Sequence, residues 1–234
     1  MKYEKTLPAT FIERPNRFIA YARLGDETVT CHVKNTGRCK ELLVPGADII
    51  LQHHPDAGAL GRKTEYSLIQ VYKQINRTTE LINMDSQAPN QVAYEWFYKR
   101  SEVSELKREV RFGNSRFDLA FLHNQKPAFV EVKGVTLEED GTARFPDAPT
   151  LRGVKHLYEL AEAVKTGYEA YAFFVIAMKG IHRFEPNTAT HPEFTEALAY
   201  AAAHGVKVLA YDCIVKPDSL TIDCPVPINL MSSL

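Results

Sequence analysis

To about residue 85 the chain alternates apolar and polar positions in short runs, each closed by a turn. Alternation with period two is the signature of half-buried strands. Residues 18–24 and 28–33 are strand candidates joined across Gly25-Asp26-Glu27, a hairpin turn. Residues 49–53 follow Pro45-Gly46, residues 54–63 form a Gly-, Pro- and Asp-rich loop, and residues 64–74 and 80–83 close the series. Short strands at this spacing predict a small β-barrel.

The pattern then changes. Residues 88–100 place Val92 and Trp96 one helical turn apart. Strands are expected at 108–112, 116–122 and 128–133, the first two joined by Gly113-Asn114. Residues 151–166 carry one apolar stripe of Leu151, Val154, Leu157, Tyr158, Ala161 and Val164, with Thr150 as the N-cap. Residues 171–178 are continuously apolar, as in a strand covered on both faces. A helix at 193–204 ends at Gly205, and a strand at 206–211 follows. Hairpins pair antiparallel and strand–helix–strand crossovers return parallel, so the order α-β-β-β-α-β-α-β predicts a mixed sheet. Two domains are expected, at 1–85 and 86–234.

Composition narrows the class without naming a function. The 234 residues are 45% hydrophobic and 24% charged, with a formal net charge of −1, which excludes a disordered chain. A nucleic acid would have to meet a local basic patch, since the average is neutral. No apolar run approaches the ~20 residues of a membrane span, and Met1-Lys2-Tyr3-Glu4-Lys5 leads into no secretory h-region. The four cysteines include no Cys-x-x-Cys pair, which argues against zinc. The expectation is a cytoplasmic protein without structural disulfides.

The candidate chemistry lies on the strands of the second part. In 129–133, Glu131 and Lys133 share a face and Val130 and Val132 the other. On the preceding strand Arg116 and Asp118 share a face opposite Phe117 and Leu119. Glu-x-Lys alone is common on solvated strands. With Asp118 on the neighbouring strand, two carboxylates meet beside a lysine, the ingredients of a Mg²⁺ or Mn²⁺ site for phosphodiester hydrolysis. Asp118 and Glu131 are the candidate metal ligands, and Lys133 the group that holds water. Arg152, Lys155 and His156 form a basic patch on the following helix, suited to gripping phosphate or, equally, an ordinary polar face with Lys155 paired to Glu159. Arg116 belongs to a local basic excess between Lys99 and Arg116. In the barrel, Lys34, Asn35 and Arg38 sit in a turn, with Arg14, Arg17 and Phe18 nearby, as a groove for a single strand would need. Glu95, Glu109 and Asp147 are weaker acidic candidates.

Seven segments together resemble one family in order and over nearly the whole chain. They are Arg14-Pro15-Asn16-Arg17-Phe18, residues 31–38, Glu109-Val110-Arg111-Phe112-Gly113, Ser115-Arg116-Phe117-Asp118, residues 131–137, Phe145-Pro146-Asp147-Ala148 and residues 152–157. The chain thereby resembles the sugar fermentation stimulation protein A family. That resemblance implies an OB-like barrel followed by a restriction-endonuclease-like, PD-(D/E)xK α/β domain. It also implies DNA binding and a link to the regulation of sugar metabolism. By motif, Asp118 matches the first acidic position and Glu131 and Lys133 the (D/E)xK pair. Phe117 stands where the motif has proline.

Three functions follow for testing. The first is a Mg²⁺-dependent nuclease acting on DNA or RNA. The second is a non-catalytic DNA-binding regulator on a nuclease-like fold, the third an interaction module that binds no nucleic acid. A fold alone does not choose among them.

Overall fold

A computed structural model describes residues 1–35, 37, 39–113 and 115–230. Arg38, one of the expected barrel cations, lies outside them. The barrel holds β1 (Thr6–Asn16), β2 (Ile19–Leu24), β3 (Glu27–Val33), β4 (Asp48–His53), β5 (Tyr66–Ile75) and β6 (Thr78–Asn83). The strands run β3-β2-β1-β4-β5-β6, and a parallel β3–β5 pairing closes the first five into a barrel. The OB-like barrel expected from the sequence is present.

β1 was not foreseen, because Pro8 and Pro15 argue against an ordinary strand. The structure shows how the prolines are tolerated. Thr6–Thr10 pairs with β4, and the stretch from Thr10 to Asn16 pairs with β2 through two register shifts. Each proline therefore lies in a half-strand with a single neighbour.

The second domain contains α1 (Ala88–Tyr98), β7 (Val103–Phe112), β8 (Ser115–His123), β9 (Lys126–Val135), β10 (Leu137–Glu139), β11 (Thr142–Phe145), α2 (Leu151–Lys165), β12 (Glu169–Ile176), β13 (Arg183–Pro186), α3 (Pro192–Ala203), β14 (Lys207–Lys216) and β15 (Ser219–Pro225). Its main sheet runs β15-β14-β12-β9-β8-β7. β12 is parallel to β9 and β14, and the β7–β8, β8–β9 and β14–β15 pairs are antiparallel. The mixed α/β sheet is as expected. The short β10, β11 and β13 form a separate small sheet, and they and β15 are additions to the sequence reading.

Helix α1 covers one face of the main sheet with Val92, Ala93 and Phe97, against Val130, Val132 and Phe173. Helices α2 and α3 cover the other with Leu157, Leu160, Phe194 and Leu198, against Phe129, Phe174 and Ile176. This second core continues into the barrel through Ile49, Leu51, Leu68 and Ile82. Polar bonds cross the same junction: Asn83 N–H to Ala177 O at 2.9 Å, Gln70 Nε2 to Lys216 O at 2.9 Å and Lys73 Nζ to Glu138 Oε2 at 2.7 Å.

Gly134, one residue after Lys133, lets α1 approach β9. A Cβ there would sit 2.6 Å from Pro89 Cγ in the first turn of α1. Gly134→Ala is expected to destabilise the protein by roughly 1–3 kcal/mol through overpacking. Urea unfolding of the two proteins measures the difference.

Candidate metal and phosphate site

The site begins where β8 and β9 part. Their ladder runs from His123↔Lys126 to Leu119↔Val130 and goes no further. Asp118 is the next residue. Its Oδ2 accepts the Val132 amide hydrogen at 2.8 Å, replacing a backbone partner, and its Oδ1 accepts from Asn90 Nδ2 of α1 at 2.9 Å. Strand alternation fails at this point. Phe117 packs with Phe129 and His156 on the α2 side, whereas Leu119 belongs to the core under α1. The expectation that Phe117 and Leu119 share a face is therefore corrected. On β7, Glu109 stands opposite Asp118 with a positive φ of 54°.

Glu131 lies on β9 and is 3% exposed. Its Oε1 accepts from Lys133 Nζ at 2.5 Å and from His156 Nδ1 of α2. Its Oε2 is buried without a hydrogen-bond partner. A buried carboxylate oxygen left so is costly, and it is the donor a hard cation takes.

The two acids differ electrostatically. Burial pushes the Asp118 carboxyl above its ordinary value, and the Glu131 charge pushes the same way, against the Val132 amide, Lys133 and Asn90. Burial acts upward on Glu131 too, but the His156 hydrogen bond and the Lys133 ammonium outweigh it and hold the carboxyl below its usual range. A cation between two such groups relieves the penalty on Asp118. The donor set fits Mg²⁺ or Mn²⁺: two carboxylates, with remaining positions open to water and phosphate oxygens.

Basic groups gather beside this pair. Arg116, Arg152 and Lys155 line one depression with His156. Arg116, Arg152 and Lys155 are exposed; Arg116 pairs with Glu109 at 3.5 Å and Lys155 with Glu159 at 3.7 Å. His156 differs from its expected role. Its ring is buried and bonded to Glu131, so it serves the carboxylate rather than facing a nucleic acid.

In the barrel, Arg17 and Phe18 are exposed, with the guanidinium 5.0 Å from the ring centre. Lys34 and Asn35 are tied inward. Lys34 Nζ pairs with buried Asp85 at 3.1 Å, and Asn35 Nδ2 donates to Met84 O at 3.1 Å. Arg14 holds this turn by donating to the carbonyls of Asn35, Gly37 and Arg17.

Three weaker candidates have other occupations. Glu95 binds the Met1 ammonium at 2.7 Å, and Glu109 pairs with Arg116. Asp147 lines a cavity of about 130 Å³ with Asn35, Asp85 and Arg144 at the barrel–domain junction. Among the described residues, Asp212, Asp223 and Cys224 bring three ligand atoms within 4.8 Å of one another. Lys179 fills that cluster, 2.8 Å from Asp212 Oδ1 and bonded to Asp223. Asn90 was missed, because an Asn in a first helical turn reads as local capping chemistry.

A closed five-stranded barrel joined to a mixed sheet, with a carboxylate pair where two strands part, defines a protein with an OB-like barrel and a mixed α/β domain. Family models place it further: residues 12–84 match the "SfsA N-terminal OB domain" and residues 87–219 the "Sugar fermentation stimulation protein RE domain". The chain belongs to the sugar fermentation stimulation protein family. A homolog from Clostridium beijerinckii is 50% identical over 225 residues, covering 95% of this chain and 96% of the relative. One from Desulfitobacterium hafniense strain Y51 is 54% identical over 222 residues, 94% of each. The solved structure of Pyrococcus furiosus SfsA in complex with Ca²⁺ has the same fold, with a TM-score of 0.83 at 24% identity over 98% of each chain.

A carboxyl raised on folding opposes stability once it ionises, and the penalty is complete above its folded pKa. Asp118→Asn is therefore expected to raise the melting temperature of the metal-free protein at pH 7. The gain should shrink as pH falls and vanish below the ordinary Asp range, where residue 118 is uncharged in both states. Thermal unfolding of both proteins with chelator, from pH 7 down to about pH 3.5, reads the effect.

Proposed function

We propose that the protein is a nucleic-acid-binding, metal-dependent phosphodiesterase. The observation that carries this reading is the buried, unpartnered Oε2 of Glu131 beside Asp118 and Lys133, at the parting of β8 and β9. The Ca²⁺ complex of the Pyrococcus furiosus relative agrees with a hard-cation site in this fold. Asp118 and Glu131 would hold Mg²⁺ or Mn²⁺. When bound, the cation neutralises phosphate charge and makes its water a better nucleophile.

The chain's own residues do the rest. Lys133 orients the attacking water and meets charge developing on the phosphoryl oxygens. The water oxygen bonds to phosphorus as the P–O ester bond breaks; the attacking water gives up a proton to solvent, and the departing alkoxide takes one from it. Arg116, Arg152 and Lys155 hold the neighbouring phosphates. Arg17 and Phe18 offer a cation and a stacking ring on the barrel for the strand beyond the site. DNA and RNA both fit this chemistry. A role in sugar metabolism would then act through a nucleic acid.

Labelled single- and double-stranded DNA and RNA, incubated with Mg²⁺, Mn²⁺ or chelator, test the reaction. Metal-dependent cutting is expected, reduced by about 10²-fold or more in Lys133→Ala and lost in Asp118→Asn, with binding retained in both. Absence of cutting on all four substrates, with salt-sensitive binding intact, would leave a non-catalytic nucleic-acid-binding protein.

Phosphate contacts have a separate signature. The double variant Arg152→Ala, Lys155→Ala is expected to weaken binding evenly across sequences. The slope of log K against log salt should fall by roughly 1–2, since each phosphate contact contributes ~0.7–0.9. Fluorescence anisotropy over a salt series measures it.

A further inference from the structure

The two oxygens of Glu131 have different surroundings. Oε1 takes both hydrogen bonds, from Lys133 Nζ and His156 Nδ1, and Oε2 takes none. Lys133 is two residues along the same strand, on a long, flexible stem. His156 reaches it from another element. α2 is fixed by its Thr150 cap, whose side chain accepts from Gly153 N–H at 3.1 Å. The imidazole is 4% exposed and stands edge-on to Phe117, with ring centres 6.2 Å apart. Its direction is therefore set before any ligand arrives.

The carboxylate partner places a hydrogen on the near ring nitrogen. An ionised Glu131 only accepts, so Nδ1 carries the hydrogen. Arg152 Nε lies 3.4 Å from Nε2, on the far side of the ring.

We propose that His156 is a positioning residue that locks Glu131 by Oε1 and so presents Oε2 as that side chain's coordinating oxygen for a divalent cation. The proposal rests on the metal-dependent reading above. Outer partners of this kind orient ligands and typically change metal affinity by 10–100-fold.

Mn²⁺ binding to the full-length protein, followed by calorimetry and water-proton relaxation, tests it without reference to activity. His156→Ala is expected to bind Mn²⁺ roughly 10–100-fold more weakly than wild type. His156→Asn should recover most of the loss, since its Nδ2 occupies the place of ring Nδ1, whereas His156→Gln should not. If His156→Ala fails to fold, the Asn and Gln variants still decide. In metal-free wild type, ¹⁵N NMR should show a hydrogen on His156 Nδ1, shared with Glu131. Equal Mn²⁺ affinity in wild type and the folded Ala or Gln variant overturns the positioning role and leaves the metal site standing. An Nε2–H tautomer in wild type overturns it as well. No Mn²⁺ binding by wild type overturns the metal-dependent reading itself, and this proposal with it.

Discussion

One hydrogen bond organises the site: the Asp118 carboxylate accepting from the Val132 amide. In an unbroken sheet that N–H would pair with a backbone carbonyl of the next strand. Here β8 leaves β9 after Leu119, and the side chain takes over the vacated place. The substitution has two effects. It keeps a buried backbone donor satisfied while the ladder is broken. It also fixes Asp118 near Glu131, close enough for the Glu131 charge to act on it. Asn90, on the helix that Gly134 allows to approach, steadies the second oxygen.

The opposite pKa directions of Asp118 and Glu131 come from this layout rather than from residue type. Glu131 is buried and Asp118 half-buried, but Glu131 faces Lys133 and His156, while Asp118 faces Glu131. The pair is thus a stable anion beside a reluctant one. Such an arrangement costs stability without a counterion and repays it when one binds, the usual economy of a preorganised ionic site.

Much of this was legible in the sequence, for identifiable reasons. Asp118, Glu131 and Lys133 stood out because strand spacing alone brings them near one another. The barrel was readable from turn chemistry at Gly25 and Pro45-Gly46. β1 was hidden because Pro8 and Pro15 are compatible with a strand only when its halves pair with different neighbours, which is a tertiary fact. β10, β11 and β13 are three or four residues long, too short for periodicity to register. Asn90 and the inward turn of His156 depend on how closely helices settle on the sheet. Lys34 and Asn35 looked like free binding groups, but their partners, Asp85 and the Met84 carbonyl, lie about fifty positions along the chain.

The barrel and the α/β domain share a continuous apolar core, from Ile49 and Leu68 through Ile82 to Phe174 and Phe184. The barrel therefore has no finished surface on that side. Detached, it would expose the apolar wall that the second domain now covers, along with Gln70, Lys73 and Asn83 stripped of their partners. It differs in this respect from an appended binding module tethered by a linker, which can swing, be exchanged between proteins or be lost without harm. Here the exposed Arg17 and Phe18 of the barrel and the Asp118–Glu131 pair of the α/β domain are held at one fixed offset. Any ligand that touched both would be held in a set register, as a workpiece is in a jig.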